Sequence, residues 1–198
     1  MLTYKDIVKD GANVLREKCV DVTIPFSNED LKHLEDMDDY LANSYDEKLC
    51  KKYDIRPGVG IAAPQIGINK KMLCIMAYDE KGNFHHYAFV NPKIISYSVE
   101  LTYLESGEGC LSVEDIHKGY IHRHKRVKVK SLMYDFEKNE FVLKTISFSG
   151  YLAVVFQHEY DHLNGILFYD HINKENPFFV PENSKPIKFE ENYLLQGV

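Results

Sequence analysis

His158 and His162 stand four residues apart in the segment Gln157-His-Glu-Tyr-Asp-His-Leu163. On a helix that spacing stacks two imidazoles on one face about a turn apart, within reach of a single cation. Glu159 lies roughly 100° round the same helix, so its carboxylate can lean over the open side of the ion and handle protons without ligating. Two histidines and a glutamate so arranged predict a metal-assisted hydrolase. Sites of this kind usually hold the ion with three protein groups and leave one position for water, so a third ligand is required.

Cys110 is the best candidate for it. The residue lies in Glu105-Ser-Gly-Glu-Gly-Cys-Leu-Ser112, where glycines let the backbone present a thiolate that metal binding keeps deprotonated. The rivals are His122 and His124 in a basic stretch read as solvated, and the pair His85-His86 at a hairpin read as surface. His33 and His171 have no partner nearby in sequence. A third segment, Gly58-Val-Gly-Ile-Ala-Ala-Pro-Gln65, carries glycines that permit close approach of the backbone to something bound. It lacks the Lys-Ser/Thr of a phosphate-binding loop, and no clear strand feeds it.

The elements that must position these groups follow from periodicity. Ser27-Asn-Glu-Asp30 resembles a capping box, and Leu31, Leu34, Met37, Leu41 and Leu49 recur at near-helical spacing, which predicts one core-packing helix from Ser27 to about Lys52. Arg56-Pro-Gly58 is a loop signal. Met72–Tyr78 reads as a buried strand and His86–Val90 as its hairpin partner, ended by Asn91-Pro92. Val127, Val129 and Ser131 alternate with lysines, and Phe141–Phe148 follows a turn at Glu137–Asn139, predicting a second hairpin and a mainly antiparallel sheet. A buried helix from Gly150 to Asn164 carries the histidines, stopped by Asn164-Gly165. Gly165–Asp170 reads as a strand. The tail after His171, with Pro177, Pro181 and Pro186, excludes a long terminal helix.

Composition sets the outer bounds. A chain of 198 residues that is 44% hydrophobic suits one packed domain over residues 1–198, with residues 172–198 as its proline-containing tail. No run of 18 apolar residues is present, and charges interrupt the first ten positions, so a membrane partner is excluded and the chain is read as cytoplasmic. A net charge of −6 argues against general nucleic-acid binding and against a specific DNA partner. The four cysteines are scattered without the density of a disulfide framework and are read as thiols.

Taken together, the three segments resemble, in order and almost letter for letter, the signatures G-x-G-x-A-A-x-Q, E-G-C-L-S and Q-H-E-x-D-H of the peptide deformylase family. The resemblance covers roughly residues 3 to 171. It implies an α+β fold with antiparallel sheets wrapped around a central helix carrying the HExxH metal motif. It implies that Cys110, His158 and His162 hold one divalent metal per chain, Fe2+ favoured, with Zn2+, Ni2+ or Co2+ able to substitute. Glu159 would move the protons, and the backbone N–H of Leu111 and the amide of Gln65 would stabilise the oxyanion. The substrates would be nascent polypeptides bearing N-formyl-methionine, with the ribosome as a transient partner. By the same resemblance, Gly58, Val59 and Gly109 contact substrate, and the methionine side chain enters a slot lined by Gly60, Gly150, Tyr151, Val154 and Val155. Gly60 would also leave room for a formyl hydrogen and exclude an acetyl methyl.

The chain departs from many members at Val113-Glu-Asp-Ile-His117, where Pro and then an Arg that helps bind the peptide backbone are common. It also has extra residues around Asp46–Pro57 and lacks the basic terminal helix that some members dock on the ribosome. Both traits resemble the longer-loop class of Gram-positive bacteria and their wall-less relatives. Lys118–Lys130 holds six Lys or Arg and no acid, and is read as a solvated strand edge. Two other readings share the HExxH helix. A zincin-like metallopeptidase would draw its third ligand from His171, and a non-enzymatic metal-binding protein would need neither Glu159 nor Gln65.

Overall fold

The structure is a computed structural model that describes residues 1–190. In chain order its elements are α1 (Asn28–Ser44), α2 (Glu47–Tyr53), β1 (Gly60–Ala62), β2 (Met72–Tyr78), β3 (Phe84–Tyr97), β4 (Leu101–Tyr103), β5 (Arg123–His124), β6 (Arg126–Asp135), β7 (Glu140–Ser149), α3 (Gly150–His162) and β8 (Ser184–Pro186). Five strands form an antiparallel sheet in the order β1-β2-β3-β6-β7, and three short ones form a second sheet, β5-β4-β8, in which β4 and β8 run parallel. The fold is the α+β arrangement that the sequence predicts.

Strand β2 shows why two helices are needed. Alternate side chains of a strand point to opposite faces, and from Met72 to Ala77 both faces of β2 are buried. Met72, Cys74 and Met76 join Leu34, Met37 and Leu41 of α1 in one apolar cluster. Leu73, Ile75 and Ala77 join Ala153, Val155 and Phe156 of α3 in another. The large sheet is therefore packed between a surface helix and the helix that carries the histidines. Nine of the residues of α3 are buried, so the helix is held by packing all round and its polar groups are fixed in place.

Two local predictions need correction, and one strand runs further than its predicted pairing. The helix predicted from Ser27 to about Lys52 is two helices. Ser27 Oγ does accept from Asp30 N at 3.0 Å to start α1, but Asp46 accepts from the N–H groups of Lys48 and Leu49 at 2.8 and 3.2 Å and so begins α2. A side chain that caps a new helix ends the old one. Asn91-Pro92 ends the β2 pairing, as predicted, but β3 continues to Tyr97 against β6 after a register shift beside Asn91, which takes φ 50°. The stretch read as a strand after Gly165 is a 3₁₀ turn, Phe168–His171, because Asp170 Oδ2 accepts from Leu167 N at 2.9 Å and tightens the chain. No helix of the described residues is long and apolar enough to cross a membrane.

Candidate metal centre

Helix α3 brings His158 and His162 onto one face, their ring centroids 5.2 Å apart. The loop after β4 delivers Cys110 to the same point, with its Sγ 3.3 Å from His162 Nε2. One donor atom from each of Cys110, His158 and His162 lies within 4.8 Å of the others, a grouping that fits one ion. A soft thiolate with two imidazoles suits a divalent transition metal. Burial alone would raise the Cys110 thiol, but hydrogen bonds and charge from both histidines outweigh it and bring the group down to about 5. The sulfur is thus poised to ligate near neutral pH.

On one side of this group stands a chain of ion pairs. His158 Nδ1 is 2.8 Å from Glu108 Oε2, which leaves Nε2 for a metal. Glu108 is gripped by one edge of the Arg123 guanidinium, which donates through Nε to Oε1 and through Nη2 to Oε2, each at 2.9 Å. Arg123 also donates to Asp161, and Asp161 takes His171 Nε2 at 2.7 Å. Burial opposes the charge on Glu108, yet Arg123 and His158 hold its carboxyl down to about 2. Gln157, the first letter of the histidine motif, pairs with the backbone N–H and C=O of His124 at 3.0 and 2.8 Å and so clamps β5, which carries Arg123, to α3.

On the other side stands Glu159. The residue is 4% exposed, and its Oε2 is buried without a hydrogen-bond partner among the described residues. Burial pushes the group up to about 7, against the opposing charge of the two histidines. Gly60 faces it: a Cβ there would overlap Oε1 and stand 2.7 Å from Cγ. The absence of a side chain at Gly60 therefore makes room for Glu159 itself. Gln65, on the 3₁₀ turn after β1, accepts from Ala62 N at 2.8 Å through Oε1, which aims Nε2 at Ser112 Oγ, 3.3 Å, and Cys110 Sγ, 3.6 Å. That turn closes at Gly67, whose φ of 82° favours glycine.

A cavity of about 830 Å³ opens on these groups. Gly58, Val59, Gly60, Gly109 and Leu111 line it, as do Tyr151, Val154 and Val155 of α3. Gly150 is not among its lining residues. The Cβ position of Gly150 points into the Glu80 carboxylate, with Cδ at 2.7 Å, and its φ is +59°. Val154 is 2% exposed yet belongs to neither of the sheet's apolar clusters, which turns it toward the cavity. The segment from Gly58 is fed by structure after all, since Gly60–Ala62 pairs with Leu73–Ile75 as an edge strand.

The rival ligands lie elsewhere. His171 is committed to Asp161, so the third ligand of a zincin is not supplied by it. His122 pairs with Ser184 and the Phe179 carbonyl, His124 with the Ser98 carbonyl, His85 with Asp79 and Tyr87, and His86 with Asp38. The basic stretch is not wholly a solvated edge, because Arg123 within it is 4% exposed. Sequence reasoning missed Arg123 and Ser112 and gave no role to Glu108 or Asp161. The last two sit inside the motifs, and an acid beside a candidate ligand histidine is a signal that a partner cation exists.

Known proteins resemble this chain over most of its length. Residues 4–178 match the family described as polypeptide deformylase. Peptide deformylase 2 of Bacillus anthracis is 50% identical over 188 residues, covering 95% of this chain and 100% of that protein. Peptide deformylase of Listeria monocytogenes is 50% identical over 181 residues, 91% of this chain and 96% of that protein. The crystal structure of a class I type b peptide deformylase of Acinetobacter baumannii bound to Met-Ala-Ser aligns with a TM-score of 0.63 at 33% identity, over 84% of this chain and 96% of that one. The chain belongs to the polypeptide deformylase family, metalloenzymes that remove the N-formyl group from nascent polypeptides.

Proposed function

We propose that Cys110, His158 and His162 hold the catalytic ion and that Glu159, Gln65 and Leu111 act directly on the formyl amide. The supporting observation is the convergence of three buried donors within 4.8 Å beside a buried, unpartnered Glu159 oxygen. A divalent cation held there supplies Lewis-acid polarisation of the reacting groups. Glu159 takes a proton from the water that attacks the formyl carbon. As the C–N bond breaks, the proton passes to the amine nitrogen, releasing formate and a free N-terminal methionine. The Gln65 amide and the Leu111 N–H donate to the formyl oxygen as negative charge develops on it.

The methionine side chain enters the apolar part of the cavity along Tyr151, Val154 and Val155. Selection of formyl over acetyl follows from the Gly60–Glu159 contact, since a carboxylate packed on a glycine backbone leaves little space for an added methyl. The peptide backbone lies against Gly58, Val59 and Gly109. We assign ferrous iron as the native ion on the strength of the family resemblance, with zinc, nickel or cobalt accepted by the same donors. The enzyme works in the cytoplasm on chains leaving the ribosome.

The test is formate release from formyl-Met-Ala-Ser by anaerobically prepared, iron-loaded protein, beside Glu159→Ala and an N-acetyl control. Formate from the wild type alone, with the acetyl peptide untouched, is the expected result. No formate despite stoichiometric metal overturns these roles. For the ion, the iron form should lose activity in air as iron or the thiolate oxidises while the zinc form keeps what it has; equal and air-stable activity of the two refutes the assignment.

A further inference from the structure

The C-terminal segment returns to the cavity. After β8 pairs with β4, Ile187 N donates to the Tyr103 carbonyl at 3.0 Å and Glu190 N donates to the Glu80 carbonyl at 3.0 Å. Between these two anchors Phe189 is half-buried, lines the cavity, and meets the Tyr151 ring edge-on with centroids 5.3 Å apart and planes at 70°. Tyr151 is fixed from the same hairpin: the Glu80 carboxylate accepts from Tyr151 N at 3.1 Å. One residue, Glu80, thus ties the first turn of α3 and the C-terminal segment together, and the aromatic pair is set between them. The family match ends at residue 178, so this segment lies beyond it.

Position along α3 says what the pair can touch. Tyr151 is eight residues before Glu159, about 12 Å along the helix axis, with Val155 and Val154 between. A long side chain directed from the formyl carbon toward the helix start would run past the two valines toward the aromatic pair, which lines the same cavity. We propose that Phe189 forms the far wall of the methionine slot and is a specificity-determining residue contributed by the chain's own C-terminal segment. The inference rests on the reading of Tyr151, Val154 and Val155 as that slot. A thioether against an aromatic ring is favourable, and an alanine methyl is too short to reach the wall.

The experiment compares kcat/KM for formyl-Met-Ala-Ser and formyl-Ala-Ala-Ser in wild type, Phe189→Ala, Phe189→Leu and Val154→Phe. Phe189→Ala should lower the methionine substrate about three- to ten-fold, mostly through KM, and leave the alanine substrate unchanged. Phe189→Leu keeps an apolar wall and should retain most of the preference. Val154→Phe fills the slot nearer the reacting carbon and should lose the methionine substrate more severely. If Val154→Phe contracts the methionine-to-alanine ratio and Phe189→Ala does not, or if Phe189→Ala lowers both substrates equally, the role of Phe189 is refuted while the slot stands. A ratio unmoved by Val154→Phe refutes the slot and the wall with it.

Discussion

Two carboxylates approach His158, both nearly sealed from solvent, and the protein treats them in opposite ways. Glu108 is surrounded by donors: Arg123 takes both its oxygens and His158 a third contact, so it stays charged and its carboxyl is held down to about 2. Glu159 faces Gly60 of β1, with one oxygen unpartnered, and burial pushes it up to about 7. A buried carboxylate with both oxygens hydrogen-bonded to charged or polar partners is rigid and chemically quiet. One whose proton affinity is raised to near neutrality is matched to taking up and giving back a proton. The contrast separates positioning from chemistry, and each side can be broken alone.

The largest effect is expected on the Glu159 side. Glu159→Ala should lower kcat on the order of 10²–10⁴-fold with metal content unchanged, because it removes the proton carrier and no ligand. Metal analysis beside the rate is decisive: a variant that loses its metal as well would place Glu159 among the holding groups. Gln65→Ala should follow at about 10²–10³-fold in kcat, the usual cost of one preorganised oxyanion donor. If KM rises and kcat stays, Gln65 serves binding and the proposed role fails.

How much of this could be read from the chain follows from the same division. The parts encoded by local spacing were legible: the two histidines one turn apart, Glu159 between them, the cysteine among glycines, and the hairpins around β2 and β6. What depended on distant contacts was not. Arg123 sits in a run of basic residues whose composition looks solvated, and only the fold shows that it is folded inward onto Glu108 and Asp161. Phe189 follows three prolines in a tail with no helical or strand periodicity, and its place at the cavity depends on β8 finding β4. The split between α1 and α2 was missed for a different reason. The apolar spacing runs on through Leu49, but the Asp46 cap carries the deciding energy locally. The resemblance gives Gly60 as room for substrate; that its missing side chain also faces Glu159 emerges only from the fold.

The Gly60–Glu159 contact gives the next prediction. Gly60→Ala would drive the carboxylate of Glu159 from its position, and misplacement by about 1 Å costs roughly 10²-fold in rate. The loss should appear in kcat, with metal affinity as in wild type, since the three atoms nearest the added methyl all belong to Glu159, which is not among the holding groups. A variant that keeps its kcat would show that Glu159 does not depend on the space at Gly60, and the positioning role would fail.

The smallest effect lies on the Glu108 side and has a different signature. Glu108→Gln keeps the shape and removes the charge that orients His158 through Nδ1, while leaving Arg123 with Asp161 as its remaining acid. Loss of such an outer contact usually weakens metal binding about 10- to 100-fold. The loaded enzyme should then turn over within a few-fold of wild type, because the groups that face the formyl amide are untouched. Competition with a chelator, read by metal release against chelator concentration, measures the affinity apart from the rate. A large fall in kcat at full metal occupancy would mean that Glu108 reaches the reacting groups through His158, and the separation between the two carboxylates would no longer hold.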